Sequence, residues 1–172
     1  MYQIGQLIIY GGEGVCRVDH IGPLEMRGAQ KGVKYYTLIP LYRTGKVFAP
    51  VDTTVHTRPI LTRDEVESLI DRIPQLDEEI YENSNPRLLA EHYQTYLKSY
   101  DCEALLRLIR SIHTKSLKAA DKGRHLGQVD ERSMKRAEEM LHGEIAAALG
   151  IPVEDVPEYI TRRVEGARPA NG

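Results

Sequence analysis

The side chains able to do acid–base, nucleophilic or metal chemistry are scattered through this chain. Six histidines, His20, His56, His92, His113, His125 and His142, fall at no metal-ligand spacing, and none belongs to an HExxH arrangement. Cys16 and Cys102 lie far apart without CxxC spacing, so a disulfide framework and a cysteine metal site are both unexpected, and each is read as a small core residue. The acidic run Asp77-Glu78-Glu79, continued by Glu82, reads as a solvated turn between helices. Gly11-Gly12-Glu13-Gly14 fits neither GxGxxG nor GxxxxGK[ST], and no strand–loop–helix follows it, so it is expected to be a tight turn and not a phosphate cradle. With no nucleophile, base or metal set assembled, the expectation is a protein that is not an enzyme and needs neither cofactor nor metal.

The basic residues are better organised than the catalytic candidates. The formal net charge is −2, but residues 1–60 hold 7 Lys+Arg against 4 Asp+Glu, residues 61–83 hold 2 against 8, and residues 84–143 hold 11 against 8. A pI near 6.3 argues against bulk coating of nucleic acid, because phosphate binding scales with the cations presented together. A local basic face remains compatible with it. Arg107, Arg110, Lys115, Lys118 and Lys122 are read as one arc roughly opposite an apolar stripe of Leu105, Leu108, Ile109 and Ile112, and Arg132, Lys135 and Arg136 as lying opposite Ala137 and Leu141. Such faces suit a phosphate backbone, and they suit ordinary water equally well.

Two different grammars must position these residues. Up to Arg58 the chain reads as short alternating strands at 6–10, 14–21, 33–40, 46–50 and 54–58, separated by glycine-rich turns, the pattern of a small curved sheet or SH3-like barrel. Pro59 then holds Arg58 extended, and Thr62 with Glu65 has the spacing of a capping box. Helices are expected at about 63–73, 86–99 after the Asn85-Pro86 start, 102–122 behind Asp101, 128–149 ending at Gly150, and 157–164. The predicted class is α+β, with a Tudor-like barrel over residues 1–60, an all-helical bundle over 61–166 and a flexible tail over 167–172. The join is expected to be wet, with few ties across it. No apolar run approaches the roughly 20 residues that cross a bilayer, and the amino terminus lacks a signal-peptide pattern, so a soluble cytoplasmic protein is expected.

The order Ile4-Gly5-x-x-Ile8-Ile9-Tyr10, Glu13-Gly14-Val15-Cys16-Arg17-Val18, Tyr35-Tyr36-Thr37-Leu38, Val47-Phe48-Ala49-Pro50 and Arg58-Pro59-Ile60-Leu61 resembles the CarD family of bacterial transcription regulators. That family shares its Tudor-like RNA polymerase interaction domain with transcription-repair coupling factor, whose ATPase motif is absent here. Where the family often has Tyr-Pro-x-His-Gly, this chain has Tyr10-Gly11-Gly12-Glu13-Gly14.

The resemblance implies a monomer that binds the RNA polymerase β subunit and modulates open-complex formation, associating with the nucleoid through polymerase. It implies a polymerase contact through Arg27, Tyr42, Arg43, Lys46 and Phe48, with Phe48 the member best suited to the core instead. It also implies promoter contact through the helical half, for which Arg87, Lys115, Lys118, Arg132 and Arg136 are the candidates. Well-known members carry a tryptophan wedge at the place of Asn85-Pro86-Arg87. This chain has no tryptophan, so the same wedge is not expected. The alternative is an adaptor whose helices recruit another protein and never touch DNA.

Overall fold

The computed structural model describes residues 1–77 and 79–166; Glu78 of the acidic run and the expected tail at 167–172 lie outside the described residues. The first sixty residues form β1 (Leu7–Tyr10), β2 (Gly14–Gly22), β3 (Tyr35–Pro40), β4 (Val47–Pro50) and β5 (Thr57–Pro59). They make one antiparallel sheet in the order β4-β3-β2-β1-β5. Alternation places Ile8, Cys16, Val18, Tyr36, Leu38 and Ala49 on one buried face. A register shift between Val18 and His20 marks a bulge in β2, the device by which a small sheet bends. Tyr2 crosses beneath, its backbone N–H donating to the Tyr36 hydroxyl at 3.1 Å and its own hydroxyl to Thr57 Oγ1 at 2.9 Å. The sheet curls in the Tudor-like manner expected but does not close, leaving β4 and β5 as its two edges.

The helical half comprises α1 (Arg63–Asp71), α2 (Pro86–Leu97), α3 (Cys102–Asp121), α4 (Gln128–Leu149) and α5 (Val156–Gly166). Their starts follow from local chemistry. Thr62 and Glu65 form the anticipated capping box, Asn85 accepts from Arg87 N–H, and Asp101 accepts from Glu103 N–H. Gly150 ends α4 in the left-handed conformation at φ 69°, where a side chain would be strained. The stripes meet in a single core that includes Val66, Ile70, Leu108, Ile112, Leu141, Ile145 and Val156. Among the described residues, no helix is long and apolar enough to cross a membrane.

The acidic connection between α1 and α2 is pinned, although its described acidic side chains Asp77, Glu79 and Glu82 are exposed. Arg110 donates to the carbonyls of Ile73 and Leu76, Ser111 to that of Glu79 at 2.6 Å, and Lys115 to that of Tyr81 at 3.3 Å. An irregular segment has backbone groups that no helix or sheet satisfies, and α3 supplies the donors.

Candidate functional site

The β4 edge is the open side of the sheet. β4 pairs with β3 alone, with Val47 opposite Leu38, Phe48 opposite Thr37 and Ala49 opposite Tyr36. Because Val47 and Ala49 turn toward the core, Phe48 turns outward, where it is 39% exposed. This corrects the expectation that it suits the core. Beside it on the outer face stand Thr37 and then His20, while exposed Lys46 directly precedes the strand. Arg27 is also exposed, at the turn of the β2–β3 connection where Ala29 N–H donates to Met26 O.

Tyr42 and Arg43 take another course. The Tyr42 hydroxyl donates to the Gly143 carbonyl of α4 at 2.8 Å, and burial raises its pKa above the ordinary tyrosine value. A Cβ at Gly143 would come within 3.0 Å of the Tyr42 ring, so glycine is what permits this approach. Arg43 lies 3.5 Å from Glu13. Of the five residues expected at polymerase, Lys46 and Phe48 share the free edge, Arg27 sits in a separate loop, and Tyr42 joins the sheet to the helices.

That joint is not the wet linker expected from the sequence. Glu144 of α4 is 2% exposed and receives two hydrogen bonds from Arg58 of β5, at 2.6 and 2.7 Å, and a third from Leu61 N–H at 2.9 Å. Arg58 Nε also donates to the carbonyl of Tyr100, in the α2–α3 turn, at 2.9 Å, and Cys102 Sγ lies 3.2 Å from Glu144. Burial opposes the charge on Arg58, yet hydrogen bonding and charge from Glu144 raise its pKa above the usual value. Burial, with Glu144 adjacent, pushes the Cys102 thiol up as well, so it stays protonated. Tyr100 holds φ at 53°, the only positive value at a non-glycine among the described residues, and its ring stacks on His56 at 4.8 Å. On the other side of the joint Arg136 donates to Gly12 O at 2.7 Å, and a cleft of about 730 Å³ opens between Val15, Tyr42, Met140 and Val153.

The five cations expected at DNA divide in the same way. Lys115, read from periodicity as part of a solvated face, is partly buried: its side chain is 16% exposed and its Nζ lies 3.0 Å from Asp130, which also accepts from the Tyr93 hydroxyl at 2.5 Å. Burial and Asp130 together raise the Tyr93 pKa. Arg136 belongs to the joint and to Glu139 at 3.8 Å. Arg87 is exposed at the start of α2, 4.0 Å from Glu91, while Lys118 and Arg132 are exposed with no ion-pair partner among the described residues. Arg124 and Lys122 extend this exposed set into the α3–α4 connection. Sequence reasoning passed over Arg124 because it lies beyond the helix whose face was counted.

Comparison with known proteins covers the sheet half. Residues 2–60 match the family described as CarD-like/TRCF RID domain. No curated protein matched the chain. The match spans all five strands and ends at the strand whose arginine enters the joint, so it is the sheet half that is similar to the CarD-like/TRCF RID domain family.

Proposed function

We propose that this protein binds the β subunit of bacterial RNA polymerase through the β4 edge and modulates promoter opening, with the helical half held near promoter DNA. The observation that carries the reading is the free edge of β4, with outward Phe48 and neighbouring Lys46, inside a module of the RID family. An unpaired edge offers backbone groups to a partner strand, and the flanking side chains set specificity. The mechanism is binding without chemistry: a polymerase-tethered protein that touches the open promoter better than the closed one shifts melting by its differential affinity. Exposed Arg87, Lys118 and Arg132 support the DNA part of the proposal. Internal use of Lys115 and Arg136 favours the alternative, a polymerase-bound adaptor whose helices recruit a protein.

The test is binding of the full chain to the isolated β subunit, then to promoter complexes across a salt series. Binding to β that Phe48→Ala weakens supports the edge. Promoter association that falls steeply with salt supports DNA contact, whereas a flat salt response supports the adaptor. Failure of the full chain to bind β removes the whole reading.

A further inference from the structure

We propose that Arg58 and Glu144 are positioning residues: they lock the sheet and the helical bundle into one body, so that a grip on polymerase fixes where the helices stand. The inference rests on the polymerase-binding reading and assigns to the joint a role that neither binding surface performs.

Three residues from other parts of the chain converge on one carboxylate. Glu144 comes from α4, Arg58 from β5, Leu61 N–H from the sheet–helix connection, and Cys102 from the first turn of α3. Arg58 in turn reaches the carbonyl of Tyr100, a residue at φ 53° between α2 and α3. A bidentate arginine–carboxylate pair sets distance and also the plane in which its partners lie, which a single contact cannot do. The pair buries a charge in a protein where apolar side chains would fill the same space, and buried pairs often contribute little net stability. What it supplies is one permitted orientation. Without the pair the halves keep the Pro59–Leu61 connection and the single hydrogen bonds Tyr42–Gly143 and Arg136–Gly12, which set distance but not plane, so their relative position would vary and the bound helices would sample many sites. Losing such placement costs roughly tenfold to a hundredfold in processes that depend on oriented groups.

The test uses the full chain with Glu144→Gln, which keeps the shape and removes the charge, and the double variant Arg58→Met with Glu144→Met, which leaves no lone buried charge even if Glu144→Gln folds poorly. Three quantities are read: tumbling of each half by nitrogen-15 relaxation, affinity for the isolated β subunit, and effect on promoter opening. The parent should tumble as one body. The double variant should keep two folded halves, tumble as two, bind β within about twofold of the parent, and lose roughly tenfold of its effect on opening. Glu144→Gln should fall between. Variants that still tumble as one body, or that tumble as two while retaining the full effect on opening, overturn the inference. A parent that fails to bind β overturns the functional reading instead, and the tumbling comparison then still decides whether Arg58 and Glu144 lock the halves.

Discussion

The two edge strands of one sheet meet opposite fates. β5, three residues long and ending in proline, is engaged by the helical half through the Arg58 side chain, while β4 turns Phe48 into solvent. Both edges pair with one neighbouring strand only. The bundle holds one edge by a side chain, which leaves the other as the side of the sheet that a partner strand can extend.

The comparison breaks most severely at the engaged edge. Glu144→Ala should cost about 3–5 kcal/mol in denaturant unfolding, because it strands the Arg58 guanidinium and leaves Leu61 N–H without its acceptor. At the free edge, Phe48→Ala should weaken binding to the β subunit by about 1–3 kcal/mol in a titration, as for an interface anchor, and change unfolding by less than about 1 kcal/mol. Equal losses of stability at both positions would erase the distinction. Tyr42→Phe lies between the two cases. It removes one hydrogen bond to Gly143 O and should cost about 1 kcal/mol of stability with no loss of β affinity, placing Tyr42 with the joint.

The helical surface sharpens the contrast further. Replacing Lys118 and Arg132 with Ala should flatten the salt dependence of promoter association by about two units of slope while leaving stability unchanged. Lys115→Ala should instead destabilise the bundle, since it leaves Asp130 without its cation. The smallest effect concerns His142, whose pKa burial lowers from the ordinary 6.5. The unfolded chain therefore takes up that proton first as pH falls. Stability from this group is full above about pH 6.5 and declines below it, until the folded-state value is passed. His142→Asn should remove that part of the pH slope in unfolding titrations.

The elements were legible because their signals are local. Thr62 and Glu65, Asn85 and Pro86, and Gly150 act within a turn of where they stand, and each marks a helix end in the structure. The sites were less legible because they depend on partners distant along the chain. Lys115 stands seven residues after Leu108, about 20° from it around the helix, so periodicity sets it at the border of the apolar stripe, but the partner Asp130 lies beyond the end of α3 where periodicity cannot see it. The same holds for Tyr42, whose partner Gly143 lies 101 residues away, and for the joint, where nothing near Pro59 announces a buried carboxylate. Phe48 was misjudged for a different reason. It was expected to suit the core, whereas the strand alternation set by Val47 and Ala49 turns it to the surface.

The span of the Arg58–Glu144 pair also has a consequence in time. The two residues are 86 positions apart, and a ribosome extending the chain at roughly 5–20 residues per second completes the sheet several seconds before α4 emerges. Throughout that interval the Arg58 guanidinium and the Leu61 N–H have no carboxylate to meet, so the orientation of the sheet against the first helices is set only when α4 arrives. A product cut short before α4 never acquires that orientation.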